Sequence, residues 1–116
     1  MKLAVDSSGL AKRYVLENGS EKIDLLLSQA SELALCIILL PEIISALNRR
    51  LREGILSIKN YRQAKRQLLD DVRDASILQI TPTVISTAIN LLEHNTLRAM
   101  DALHIACAME WQGGLF

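Results

Sequence analysis

Leu3-Ala4-Val5-Asp6-Ser7-Ser8-Gly9-Leu10-Ala11 carries the reading that decides the fold. Three apolar residues in a row read as a short buried strand, and Ser7-Ser8-Gly9 then offers helix N-cap chemistry. Leu10, Ala11, Tyr14 and Val15 recur at helical spacing, and Asn18-Gly19 closes that helix. The strand-to-helix switch repeats downstream. Ser20 is placed to cap a helix with the stripe Ile23, Leu26, Leu27 and Ala30, and Leu33 to about Ile38 is a continuously apolar strand, as a strand covered on both faces should be. Pro41 fits the first turn of a helix whose buried side is Ile43, Ile44, Leu47 and Leu51 and whose stop is Gly54. Ser57 opens its antiparallel neighbour, with Ile58, Tyr61, Leu68 and Val72 inward. Residues 77–80 form a third strand, and Thr81-Pro82 starts a helix through Leu92. A last helix runs from about Leu97 to Trp111 and is ended by Gly113-Gly114. Leu115-Phe116 looks like the first third of a fourth strand. Strands alternating with helices predict an α/β domain with a parallel, doubly wound sheet.

The 116 residues make one domain, 1–116, and half of them are hydrophobic while only 3% are aromatic, so the core must be aliphatic. Lysine plus arginine number 13 and aspartate plus glutamate also number 13. With no bulk positive field, any site for a polyanion must be local. Cys36 and Cys107 each sit in an apolar run, which is the setting of buried free thiols and not of a disulfide framework or zinc knuckle. A reducing cytoplasm suits them. The start of the chain lacks the features of a secretory signal, and no apolar run approaches the ~20 residues of a membrane span. A soluble, cytoplasmic protein without membrane contact is expected.

Three acids stand at the turning points. Asp6 ends the first strand, Glu42 lies in the first turn after the second, and Asp101 is early in the last helix. Open parallel sheets bind ligands beyond the carboxyl ends of their strands, and the simplest winding brings all three there. Three crowded carboxylates resist full ionisation unless a divalent cation offsets their charge. Hard oxygen donors without a quorum of cysteine or histidine favour Mg²⁺ or Mn²⁺, and phosphodiester hydrolysis is the natural chemistry. Each acid taken singly is also explained as an N-terminal charge that offsets a helix dipole by about 0.3 to 1 kcal/mol. His104, one turn after Asp101, reads as a hydrogen-bonded core or supporting group, and His94 as a helix-end cap. Arg49, Arg50 and Arg52 complement a helix C-terminus or contact phosphate. Lys12, Arg13 and Arg98 either hold RNA backbone or form a solvated face. There is no phosphate-binding glycine loop, dinucleotide fingerprint or nucleophile elbow.

Asp6-Ser7-Ser8-Gly9-Leu10-Ala11-Lys12-Arg13-Tyr14, Pro41-Glu42-Ile43-Ile44-Ser45-Ala46-Leu47 and Leu97-Arg98-Ala99-Met100-Asp101-Ala102-Leu103-His104-Ile105-Ala106 together resemble the three N-terminal motifs of PIN-domain proteins, specifically toxins of VapC type. The resemblance implies a three-layer α/β/α sandwich around a parallel sheet. It implies a Mg²⁺- or Mn²⁺-dependent endoribonuclease, a toxin acting on translation, inhibition by a VapB-type antitoxin, and a homodimer. On this alignment Asp6, Glu42 and Asp101 are the catalytic and metal-holding acids. Ser8 supports the first of them, and Arg13 and Arg98, by their nearness in sequence to the acids, are expected to contact substrate with it. The family pattern continues into a Ser/Thr-x-Asp segment that delivers a fourth acid, so the fourth strand of this chain is expected to be truncated and that acid missing. The alternative expectation is an inactive PIN-fold module that dimerises or binds an antitoxin.

Overall fold

The computed structural model describes residues 2–15 and 18–111 and the backbone of residues 114–115. Strand β1 (Lys2–Val5) leads through α1 (Ser7–Ala11) and α2 (Ser20–Gln29) into β2 (Glu32–Cys36). The hairpin of α3 (Leu39–Arg52) and α4 (Ile58–Arg73) follows, then β3 (Ser76–Leu78), α5 (Pro82–His94), α6 (Ala99–Trp111) and β4 (Gly114–Leu115). All pairings are parallel, and the strand order is β3-β2-β1-β4. The expected α/β sandwich with a central parallel sheet is thus observed. Gly113, expected to end α6, and Phe116, expected in the last strand, lie outside the described residues.

The alternation of side chains across each strand sorts the core into two layers. Leu3, Val5 and Leu35 face one way, where they meet Leu10, Ile23, Leu39, Ile43, Leu47, Ala64 and Leu68 from α1 to α4. Ala4, Ala34 and Cys36 face the other way, toward Ala102, Ala106, Cys107 and Ala108 of α6 and Val84 and Ala88 of α5. Large residues fill one interlayer space and small ones the other, so α6 lies close against the sheet.

Strand order places the reversal of winding beside β1. The connections from β1 to β2 and from β2 to β3 cross one face, and the connection from β3 to β4 crosses the other. The crevice at such a switch point is where open α/β sheets hold ligands. Asp6 directly follows β1 at that point.

Local signals explain the element ends. Asp6, not Ser7 or Ser8, is the N-cap of α1: its Oδ1 accepts from the Gly9 amide at 2.7 Å. The carboxylate accepts more strongly than a serine hydroxyl, and capping from position 6 starts the helix one residue earlier. α1 then stops at Ala11, short of the close expected at Asn18-Gly19, and turns through residues 12–14. Gly19, at φ 92°, precedes α2, so Ser20 is its first helical residue and not its cap. Ser57 and Thr81 cap α4 and α5 through the amides of Asn60 and Val84, as expected. The second strand ends at Cys36, and α3 begins at Leu39, two residues before Pro41. Pro41 still lies in the first turn, where its missing N–H is not needed. The third strand is Ser76–Leu78 and the last helix begins at Ala99, small shifts of the expected bounds.

Candidate active site

Four contacts fix the direction of α6. His104 reaches Glu42 just past β2, Cys107 lies 3.2 Å from Cys36 at the end of β2, Ala108 packs on Ala4 and Ala34, and Lys2 sits 6.0 Å above the ring of Trp111. The helix therefore descends from the carboxyl ends of the strands to their amino ends. Asp101, one turn before His104, lies at the carboxyl edge with Asp6 and Glu42. The edge that the sequence predicts for the acids is the edge on which their elements place them.

Their side chains are individually engaged. Asp6 caps α1. Glu42, in the first turn of α3, receives a hydrogen bond at 2.6 Å from Nε2 of His104, a residue only 4% exposed. A carboxylate oxygen can only accept, so the proton lies on Nε2, and the opposite ring nitrogen, Nδ1, is buried without a partner among the described residues. Asp101 pairs with Arg98, whose Nε lies 3.3 Å from Oδ2. Among the described residues no three side chains of His, Cys, Asp or Glu form a group able to hold a metal ion. The expected three-carboxylate cluster is thus not assembled in this structure, although its parts share one edge.

Two neighbouring clefts open at this edge. One, about 380 Å³, is lined by Ser7, Ser8, Ala11, Lys12, Glu42, Ile43, Ala46 and Arg50. The other, about 350 Å³, is lined by Asp6, Ser8, Gly9, Lys12, Gly19, Lys22, Ile23 and Leu26. Ser8 and Lys12 form the wall common to both. Ser8 therefore shares one cleft with Asp6, the acid it is expected to support, and the other with Glu42. Arg98 reaches only the third, Asp101, with its side chain 88% exposed.

Arg13 departs from expectation. Its guanidinium is 3.1 Å from Asp71 and 3.9 Å from Asp24, and the same Asp71 oxygen accepts from the Tyr14 hydroxyl at 2.6 Å. This network ties the turn after α1 to α4 and lies in a different cleft from the acids, with Leu27, Leu33 and Asp74. Burial, then the Asp71 hydrogen bond and charge, push the Tyr14 hydroxyl well above the tyrosine range. The bond that draws Arg13 away from the edge joins residues 58 positions apart in the chain, which no local pattern announces.

Cys36 and Cys107 are free and buried, as expected. Burial, with the Cys36 thiol as neighbour, pushes Cys107 up to about 12. His94 takes its expected place at a helix end, with Nδ1 2.8 Å from the Asn90 carbonyl. The Lys12 and Arg50 placements carry more information than the sequence could assign them, since it offered both as members of larger basic groups.

A parallel sheet wound in this order, with acids at its switch point, defines an open α/β fold with a candidate ligand site at its carboxyl edge. The family model for the PIN domain matches residues 4–115, and the chain belongs to that family. The family is generally dependent on divalent metals. The fold is similar to that of a toxin–antitoxin complex from Klebsiella pneumoniae, with a TM-score of 0.72 and 14% identity over 99% of this chain and 83% of that one. It is similar to Mycobacterium tuberculosis VapC20, a toxin that cleaves the sarcin-ricin loop, with a TM-score of 0.72 and 16% identity over 96% and 84% of the two chains. Rickettsia felis VapBC2, bound to a fragment of promoter DNA, gives 0.68 and 14% over 99% and 85%. No curated protein matches the sequence. Among the described residues no helix is long and apolar enough to cross a membrane.

Proposed function

We propose that this chain is a single-domain, VapC-like endoribonuclease that hydrolyses RNA phosphodiesters with Mg²⁺ or Mn²⁺ at the edge bearing Asp6, Glu42 and Asp101. The observation that carries the reading is the placement of Asp6 at the switch point of a PIN-family sheet, with Glu42 lining the adjoining cleft. The donors suit the ion. Asp6 and Glu42 each use one carboxylate oxygen within the protein and keep the other without a protein partner among the described residues. Magnesium commonly takes one or two carboxylates and keeps several waters.

Asp6 and Glu42 would hold the cation, with Asp101 completing the set after release from Arg98. When bound, the ion polarises a phosphate oxygen and lowers the pKa of water. The chain's own groups do the rest. Gly9 N–H fixes the Asp6 carboxylate, His104 fixes Glu42, and the Ser8 hydroxyl stands ready to donate to an incoming phosphate oxygen. Arg98 neutralises Asp101 until substrate and cation arrive. A VapB-type antitoxin as partner is supported by the toxin–antitoxin assemblies among the similar folds, and a cytoplasmic homodimer agrees with the family motifs and the free thiols.

A second reading, a PIN-fold module that binds its partner without cutting RNA, is favoured by the lack of a converged three-donor group among the described residues. One titration separates the two. Cleavage of a structured RNA should rise with added Mg²⁺ or Mn²⁺ and vanish with chelator and in Asp6→Asn. Cleavage that survives both treatments eliminates the metal-carboxylate mechanism. Thermal stabilisation by Mn²⁺ without any cleavage selects the binding module.

A further inference from the structure

We propose that Lys12 and Arg50 form a clamp for the phosphodiester backbone of single-stranded RNA, seating it across the cleft that contains Glu42; the inference rests on the ribonuclease reading and names where its substrate lies. Glu42, Ala46 and Arg50 stand at intervals of four along α3 and line one wall. At a rise of about 1.5 Å per residue, the acid and the guanidinium are based about 12 Å apart along that wall. Ala46 between them has too little side chain to obstruct a strand. Ser8, Ala11 and Lys12 line the opposite wall.

Lys12 and Arg50 are the basic residues that line this cleft. Arg13, Arg73, Arg98 and Lys2 each face an acid within 4.0 Å. Arg50 is half-buried, yet among the described residues its guanidinium has neither an acidic partner nor a hydrogen bond. A partly desolvated cation without a counter-charge is costly unless a ligand supplies one. Lys12 is also held in place. Its stem passes over Gly19, where a Cβ would lie 3.4 Å from the lysine Cδ, and its Nζ donates to the Asn18 carbonyl at 3.1 Å. The ammonium keeps further donors for a phosphate, and it borders both clefts, so it spans the passage from Asp6 to Glu42.

Phosphate is the ligand that fits both ends. A cation-bearing acid and a guanidinium along one wall match two phosphates of one strand, Arg50 offering a planar, bidentate fork. A single carboxylate reaches only one of the two ends, whereas a polymer of phosphates reaches both. Aromatic residues are scarce and none lines this cleft, so recognition here follows the backbone, not base stacking.

The test measures binding of a fluorescently labelled single-stranded RNA in chelator over a range of salt, alongside Mn²⁺ affinity by calorimetry and steady-state cleavage. Arg50→Ala and Lys12→Ala should each weaken RNA binding several-fold and make the salt slope shallower by about 0.7 for every phosphate no longer neutralised. KM should rise more than kcat falls, and Mn²⁺ affinity should hold. Arg62→Ala, exposed on α4, should leave the salt slope as it is in the wild type. If the wild type cleaves while Arg50→Ala and Lys12→Ala bind RNA with unaltered slope, the clamp is overturned, the ribonuclease reading stands, and the cleft is left to a protein partner. Equal loss of Mn²⁺ and RNA affinity in Arg50→Ala also overturns it, assigning Arg50 to the metal end. A wild-type chain that neither binds RNA nor cleaves it overturns clamp and ribonuclease together.

Discussion

Asp6 combines two roles that a pair of substitutions can separate. Its Oδ1 caps α1 through the Gly9 amide, and asparagine caps as well as aspartate does. Asp6→Asn should therefore unfold in urea within about 0.5 kcal/mol of the wild type while losing metal-dependent cleavage, whereas Asp6→Ala should lose cleavage and about 1 kcal/mol besides. Equal destabilisation by both would show that the cap is irrelevant. His104 supports a second prediction, because its Nε2 holds Glu42 at 2.6 Å inside a nearly closed shell. Groups that orient a metal-binding carboxylate commonly alter affinity by about 10- to 100-fold when removed. His104→Leu should weaken Mn²⁺ binding within that range, and His104→Gln, which can still donate, should recover much of it. Matching calorimetric titrations for the two variants would remove His104 from the site. The acids and Ser8 were legible in the sequence because each stands beside a strand end or helix start. The Glu42–His104 pair was not, since 62 residues separate its members. Arg13 was misleading for the same reason: adjacency in the chain put it near Asp6, and Asp71 took it elsewhere.

Elements were legible wherever hydrophobic period and capping chemistry agreed. Ser57 and Thr81-Pro82 started helices where expected, and the misplacements fell at ends where two signals competed, as with Asp6 against Ser7. What period could not reveal was how closely each helix approaches the sheet. α6 is apolar on nearly every side, and its alanines meet the alanines of β1 and β2, while α1 to α4 cover the leucine and valine side. A change in side-chain volume should thus act by opposite mechanisms on the two faces. Leu35→Ala, on the large-residue face, leaves a cavity and should cost about 2 to 5 kcal/mol. Ala106→Leu, at a fully buried position on α6, has no space to enter and should cost about 1 to 3 kcal/mol by overpacking. Its effect on cleavage should be the larger of the two. It displaces the helix that carries Asp101 and His104, whereas relaxation around residue 35 is taken up by the other layer. Denaturation and cleavage measured on both variants check the ranking, and a greater loss of activity in Leu35→Ala would contradict it.

At the scale of the molecule, alternation of strands and helices made the parallel sheet legible, but not the order β3-β2-β1-β4 or the descent of α6, which follow from contacts between distant segments. The two layers created by that order each bury one group whose proton is held unusually tightly. Tyr14 lies between α1 and α4, where burial and then Asp71 raise its hydroxyl. Cys107 lies between α6 and β2, where burial and then Cys36 raise its thiol to about 12. Both groups keep a proton in the folded chain at pH values where the unfolded chain has released it. Their contribution is complete below the unfolded values, 9.0 for the thiol and 10.0 for the phenol, and is lost as pH rises, up to about 12 for Cys107 and further for Tyr14. Each can tilt stability by at most about 1.4 kcal/mol per pH unit. Urea denaturation at about pH 8, 9.5 and 11, values that bracket the two unfolded groups, should show wild-type stability falling steeply, with Cys107→Ala flattening the earlier part of the fall and Tyr14→Phe the later part. The groups lie on opposite faces of one sheet, so in a chain that unfolds as a single unit both substitutions must act on the same transition. Two separate transitions, each answering to one substitution, would show the layers unfolding independently. Variant curves parallel to the wild type would show that neither proton is held by the fold.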